Sequence, residues 1–341
     1  MGVTRQIKVG ILTAPHIEFE QRANTFILKN VRIGIGFHWD RYEDQEFAGT
    51  LTIRNNADGT QTAINTIDLE DYLCSVISSE MSANSPIELL KAHAVISRSW
   101  AIRAMQKPNH EGFDVCADDH CQRYEGIRRM SERAVEAVRA TAGQVLLYND
   151  EICDCRYYKC CGGKTEIWRT CWEDIDVPYI QSVQCDYCKS PSPKILRLVL
   201  NDYDRETKDF RDWKVTYKDE EINEIIRTKS GIDFGEIIDL IPLHRGASGR
   251  IDQLRIVGTK HTEVIGKELK IRYWLSRSCL YSSWFEVAHE NGVWTLSGHG
   301  WGHGAGLCQI GAAVMATEGK TYEEILTYYY PGTRLNEKMR K

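Results

Sequence analysis

The sequence predicts an α+β fold: a helical core carrying one candidate acid, strands on either side, and an inserted β-rich subdomain. Three observations lead there. Apolar and polar residues alternate from 7 to 66, the period turns helical at Asp68, and alternation returns between 189 and 292 after a stretch rich in Asp, Lys and Glu. The expected division is 1–66 as an N-terminal β-rich region, 67–188 plus 293–341 as the core, and 189–292 as the insert.

Each element has a local reason. IKVGIL, FILKNVRIGIGF and FAGTLTIRNNADGTQTAINTI read as strands, with Asn56 to Gly59 as a hairpin turn. From Asp68, residues Leu69, Leu73, Val76 and Ile77 share one helical face, and the pattern runs out at Ser78 to Met81. Ser85-Pro86-Ile87-Glu88 then supplies an N-cap candidate, a first-turn proline and a glutamate three residues after the cap, so a second helix should run from Pro86 to about Gln106. Ala92, Ala94, Ala101 and Ala104, with Ser97 and Ser99, keep it slim, while Ile87, Leu90, Val95, Ile96, Trp100 and Ile102 surround it with apolar bulk. A helix apolar on most sides is buried. A third helix is expected over Met130 to Ala142, with Gly143 suited to its C-terminal end. QVLLY and CDCRYYKC read as strands, as do RIDQLRIVG and KELKIRYWL in the insert.

At 341 residues the chain can build a sizeable core without staples. The formal charge is −5 with Lys and Arg scattered, which argues against a nucleic-acid groove as its main business. No window reaches the roughly 18 to 20 apolar residues of a membrane span. The start, MGVTRQIKVGILTAPHIEF, has no signal-peptide h-region followed by a cleavage site, so the expectation is either a protein retained inside the cell or a mature, trimmed form.

Nine of the twelve cysteines cluster: Cys116 and Cys121, then Cys153, Cys155, Cys160, Cys161, Cys171, Cys185 and Cys188. For most of them reduced, buried cysteine is the plain reading. In NHEGFDVCADDHCQRY, Cys116 and Cys121 with His110 or His120 form a donor set that suits Zn²⁺, while a disulfide or no role fits the Cys-x4-Cys spacing equally well. Cys185 and Cys188 form a lone CxxC that could pair, or join Cys160, Cys161 or Cys171 in a second zinc site, with a plain structural role as the default.

Glu80 lies where one helical pattern ends and the next begins, beside Ser78, Ser79, Ser82 and Ser85. Burial against apolar walls raises a carboxyl pKa by up to about 3 to 5 units, which is what a general acid needs at neutral pH. An ordinary surface glutamate is the simpler alternative. Downstream, Gly298, Gly300, Gly302, Gly304 and Gly306 allow positive φ and interleave with His299 and His303, so a helical i,i+4 metal pair is not expected there.

EMSANSPIELLKAHAVISRSWA resembles the signature of the SpoIID/LytB family, through Glu80-Met81, Pro86, Glu88, Leu90-Lys91-Ala92, Ala94-Val95 and Arg98. TAGQVLLY, Cys161-Gly162-Gly163-Lys164-Thr165 with Trp168, Ser248-Gly249-Arg250, GHGWGHGAGLCQIGA and YEEILTYYYPGT resemble further family segments in the same order. The resemblance implies lytic transglycosylase action on peptidoglycan glycan strands with Glu80 as acid and base, or, in the enhancer branch, a non-catalytic modifier of a cell-wall amidase. It also implies glycan-side roles for Arg98, Gln122, Tyr124, His303 and Gln309. A zinc site of His110, Cys116 and Cys121 follows from it, with His120 as the alternative imidazole, and no organic cofactor is expected. An envelope or exported location is implied, although the N-terminal reading leaves the cytoplasm open. The chain departs from the family pattern at Cys308, Cys160 and Cys161, which stand where serine is usual.

Overall fold

The computed structural model describes residues 5–36, 40–82, 84–118, 120–189, 191–201, 204–206 and 211–336. The fold is α+β, mixing helices with several small sheets. The N-terminal strands are β1 (Gln6–Ala14), β2 (Phe19–Gln21), β3 (Thr25–Ile33), β4 (Arg41–Ala48), β5 (Thr50–Asn55) and β6 (Gln61–Asp68). β1 pairs antiparallel with β6, placing Ile7 opposite Ile67, and β6 pairs with β5 across the Asn56–Gly59 turn. Alternation sets which face is buried, with an irregularity between Leu28 and Val31 shifting it by one residue in β3: Ile7, Val9 and Ile11 of β1, and Phe26, Leu28, Val31 and Ile33 of β3, are all buried in the main core. β2, β3 and β4 form a second sheet.

The sheet hands directly to α1 (Leu69–Glu80), capped by the Asp68 carboxylate, which accepts from the Glu70 amide at 2.9 Å. Extended backbone at Met81 ends the helix and leaves Glu80 as its last residue. Next comes α2 (Ile87–Gln106), which runs through the middle of the protein with Leu89, Leu90, Val95, Ile96 and Ala101 fully buried, and touches α1. Burying each large aliphatic side chain of this kind stabilises by about 1.5–3 kcal/mol.

The expected capping box of α2 does not form. Pro86 occupies the cap position, the Ser85 hydroxyl has no partner, and Glu88 instead accepts from Lys91 and from the distant Tyr322 amide. A tertiary contact has taken the carboxylate that local sequence would have used.

β7 (Val115–Cys116) extends the first sheet alongside β1. α3 (Glu132–Ala140), capped by Ser131, buries Ala134, Ala137 and Val138. Strands β8 (Leu146–Tyr148), β9 (Glu151–Ile152) and β10 (Tyr157–Tyr158) follow, then α4 (Trp168–Cys171) and α5 (Pro193–Val199). Val199 and Leu200 are buried in the main core.

A second core, from Trp213 to Leu296, is built by β11 (Asp212–Lys218), α6 (Asp219–Ser230), β12 (Ile237–Arg245), β13 (Ile251–Gly258), β14 (Thr262–Ile265), α7 (Glu268–Trp274), β15 (Phe285–Glu290) and β16 (Val293–His299). Its sheets have the orders β11-β16-β15 and β12-β13-β14. KELKIRYWL, expected as a strand, is α7. Its apolar residues fit both periods, but Leu269 and Tyr273 are 54% and 43% exposed while Ile271 and Leu275 are buried, and Arg272 pairs with Glu268 one helical turn away.

The chain then returns to the main core through β17 (Leu307–Cys308), α8 (Gln309–Thr317), α9 (Tyr322–Tyr329) and β18 (Arg334–Leu335). β17 lies parallel to β10, with Tyr157 opposite Leu307 and Tyr158 opposite Cys308. The glycine-rich approach to β17 presses on β10. A Cβ at Gly306 (φ 86°) would come within 2.1 Å of the Arg156 carbonyl, and one at Gly304 (φ 89°) within 2.5 Å of the Arg250 guanidinium carbon. No described helix is long and apolar enough to cross a membrane.

Candidate active site and metal centres

Glu80 is buried, at 8% exposure, although it ends a helix. Three chain segments close on it. The Arg123 amide and the Tyr157 hydroxyl both donate to Oε1, at 3.2 and 3.1 Å, and neither bond falls on Oε2. The Lys159 ammonium reaches the Glu80 carbonyl at 3.4 Å and pairs with the buried Asp204 at 2.6 Å. Asn201 donates to the Ser79 carbonyl, so the segment after α5 seals the end of α1. Tyr157 is only half-buried.

A second layer holds Tyr157. The edge of His93 packs against its ring at a 4.4 Å centroid distance. His93 Nδ1 faces the Ser97 hydroxyl at 3.1 Å and Nε2 faces the Gln309 amide nitrogen at 2.9 Å. A neutral imidazole protonated on Nδ1 satisfies both contacts, because the Gln309 amide donates to Nε2. Burial first, and then the Lys159 charge, push the His93 pKa down to about 3, so the ring is uncharged at neutral pH. On the other side, His303 Nε2 donates to the Tyr157 carbonyl at 3.0 Å while its Nδ1 accepts from the Ala305 amide. Burial and the surrounding arginines hold the His303 pKa well below the usual histidine value.

The expected glycan residues are therefore distributed unequally. Arg98 is 1% exposed, and all its N–H donors are taken by Glu70 (2.8 and 2.6 Å) and the Gln144, Ala94 and Val138 carbonyls, a clamp between α1, α2 and α3. Gln122 links the Tyr72 hydroxyl to the Ser97 carbonyl, and Tyr124 donates to Asn65 at 2.7 Å while packing on Phe47 and Tyr72. These three are core links. His303 contacts Tyr157 directly and is one contact removed from Glu80, while Gln309 reaches Tyr157 only through His93.

Sequence reasoning missed Tyr157, Lys159 and His93. A usable signal existed for the first two, since alternation along Tyr157-Tyr158-Lys159 puts residues 157 and 159 on one face. His93 carried none: it sits in a helix packed on all sides, where histidine reads as core.

Two donor clusters lie close by. The side-chain ligand atoms of His110, Cys116, His120 and Cys121 all fall within 4.8 Å of one another. His110 Nε2 is 3.2 Å, and His120 Nδ1 3.6 Å, from the Cys121 sulfur. Both imidazoles lie near the two sulfurs, so His120 stands with His110, Cys116 and Cys121 in a Cys₂His₂ arrangement of donors that could hold a metal ion. The Cys121 thiol first, and His120 behind it, hold the Cys116 thiol down to about 4, while Cys116 raises the His120 pKa. Two residues after Cys121 is Arg123, whose amide touches Glu80, so this loop sets one wall of the acid site. The second cluster is Cys161, Cys185, Cys188 and Cys308, all fully buried.

Residues 57–148 match the family model described as Stage II sporulation protein, and residues 166–306 match a domain of unknown function. The chain is 28% identical to stage II sporulation protein D of Bacillus subtilis (strain 168), over 81% of this chain and 76% of that protein. It is also 28% identical to an uncharacterized protein of Brachyspira hyodysenteriae, over 84% of this chain and 71% of that one. It is 26% identical to the amidase enhancer of Bacillus subtilis, over 77% of this chain but only 40% of the enhancer. These matches agree with the SpoIID/LytB resemblance of the motifs.

Proposed function

We propose that the protein acts on the cell wall as a peptidoglycan lytic transglycosylase, cleaving the bond between N-acetylmuramic acid and N-acetylglucosamine with Glu80 as its single acid and base. The observation that carries this reading is the carboxyl of Glu80, buried at a helix end with Oε1 held by the Tyr157 phenol and the Arg123 amide. With Oε1 fixed, Oε2 is the oxygen available to face a glycan.

The chemistry then needs one carboxyl. Glu80, protonated on Oε2, gives its proton to the bridging oxygen as the C1–O bond breaks, and the 2-acetamido group of the same sugar stabilises C1. The Glu80 carboxylate then takes the proton of the C6 hydroxyl, whose oxygen bonds to C1 and closes a 1,6-anhydro ring. No water is consumed, so the second carboxylate that most glycosidases place across the bond is not required. Tyr157 stabilises the carboxylate stage through its O–H, because a hydrogen bond to the charged form favours that form.

His110, Cys116, His120 and Cys121 would hold Zn²⁺, which would pin the loop that presents the Arg123 amide. Peptidoglycan glycan strands are the proposed partner, with the cell envelope as the place of action.

Relatedness to a protein named amidase enhancer supports a second reading, in which the same crevice binds glycan and assists a cell-wall amidase without cutting. Mass spectrometry of wall fragments after incubation with wild type and Glu80→Gln separates the two. Anhydro-muramyl products from wild type alone are expected. Reducing ends would make the enzyme a hydrolase, and no product from either protein would leave the enhancer role.

A further inference from the structure

We propose that Cys161, Cys185, Cys188 and Cys308 form a second metal site, a buried tetrathiolate holding one tetrahedral divalent ion, zinc or iron, that staples the segment carrying Tyr157 and Lys159. The inference stands independently of the reaction at Glu80.

Four sulfurs from three separate stretches of chain come together within 4.8 Å of one another, and each residue is fully buried. Around one ion at about 2.3 Å, tetrahedral geometry spaces sulfurs by roughly 3.8 Å, which this cluster accommodates. Disulfide formation accounts for sulfurs in pairs, whereas here four point at a common centre. Cys161 and Cys188 are 3.0 Å apart, well beyond a bonded length of about 2.05 Å, and all four cysteines are free.

The surroundings favour thiolates. Backbone amides aim at the sulfurs: Gly163 at Cys161 (3.4 Å), and Cys161 and Gly311 at Cys308 (both 3.3 Å). Cys308 is also the N-cap of α8, where the helix dipole favours negative charge. Behind the cluster the buried Arg250 guanidinium bonds the Cys161 carbonyl and adds compensating positive charge. A soft, all-sulfur, four-coordinate set is the chemistry of structural zinc or of a single iron.

The placement gives the site a purpose. Cys161 follows β10 by three residues, Cys308 ends β17, and the Cys185–Cys188 turn packs against α8. One ion would lock the β10–β17 pairing from its end and so fix the direction of Tyr157 and Lys159 toward Glu80. It also explains why cysteine stands at positions 161 and 308, where the family pattern has serine.

Native mass spectrometry of the full-length chain, expressed with zinc and iron in the medium, counts and identifies bound ions. Relative to wild type, Cys188→Ser and Cys185→Ser should each carry one ion fewer per chain, whereas Cys116→Ser should lose an ion while keeping the one assigned here. An unchanged count in Cys188→Ser and Cys185→Ser would overturn the proposal. So would a wild-type mass short by the two hydrogens of a disulfide mapped to any pair of the quartet. Should the serine variants fail to fold, wild type denatured in the presence of an alkylating reagent, with and without a strong chelator, decides the matter. Chelator-dependent alkylation of Cys161, Cys185, Cys188 and Cys308 together is expected, and equal alkylation in both samples overturns the site.

Discussion

The Tyr157 hydroxyl lies 3.1 Å from Glu80 Oε1, although the two residues are 77 positions apart and meet only because β10 is laid across the end of α1. Under the proposed transglycosylase mechanism, a phenol donating to the Glu80 oxygen places Tyr157 in the reaction centre. Tyr157→Phe removes that donor and leaves the ring and its His93 contact in place. A hydrogen bond to a charged group is worth about 1.5–3 kcal/mol, so turnover should fall by roughly 10- to 150-fold with the melting temperature nearly unchanged. Steady-state rates on purified glycan strands check this. Turnover equal to wild type would remove Tyr157 from the mechanism.

Arg98 makes the opposite prediction. Arg98→Ala strips the Gln144, Ala94 and Val138 carbonyls and Glu70 of their donor. Breaking a fully buried pair costs about 3–5 kcal/mol; Glu70 is 36% exposed, so about 2–3 kcal/mol is expected here, read as a lowered urea midpoint. Glycan binding by the folded protein should persist. If binding disappears at unchanged stability, Arg98 touches substrate after all.

His93 ties stability to pH. Its folded pKa, about 3, lies below the ordinary value of 6.5, so below pH 6.5 the unfolded chain binds a proton that the folded chain refuses. The contribution is complete above pH 6.5 and drains away as pH falls toward 3, with a slope of up to about 1.4 kcal/mol per unit. In urea melts between pH 4 and 7, His93→Gln should show a shallower acid-side loss than wild type. Parallel curves for the two proteins would contradict the neutral buried ring.

At the first metal quartet, the convergence of both imidazoles can be tested directly. His120→Ala and His110→Ala should each weaken zinc binding by more than the roughly 10- to 100-fold that changes outside the ligand shell produce. Competition with a chelating dye measures it. A His120→Ala protein with wild-type affinity would restore the three-ligand site. In wild type, chelation should lower the melting temperature, and added zinc should restore it.

Reading the chain in one dimension succeeded where structure is set by neighbours in sequence. The hairpin at Asn56–Gly59, the start of α1 at Asp68 and the burial of α2 all follow from local period and turn chemistry. It failed at α7, because Leu269, Ile271, Tyr273 and Leu275 alternate as well as they spiral, and only packing of Ile271 and Leu275 against the second core chose the helix. It failed also at the cap of α2, where Glu88 was claimed by the Tyr322 amide of α9, 234 residues away.

What the sequence alone carried was the resemblance to SpoIID/LytB segments, the mixed fold, and two features, a glutamate at a helix end and cysteines with histidines in one loop. Those are written in short motifs, and short motifs are local. Only the tertiary structure decided which groups meet: that Tyr157 and the Arg123 amide share one Glu80 oxygen, that Arg98 clamps helices, and that Cys161 and Cys308 join a CxxC turn. Hydrogen bonds and metal ligation act over about 2 to 3.5 Å, and which side chains come that close is settled by how helices and strands pack, a property of the whole folded chain.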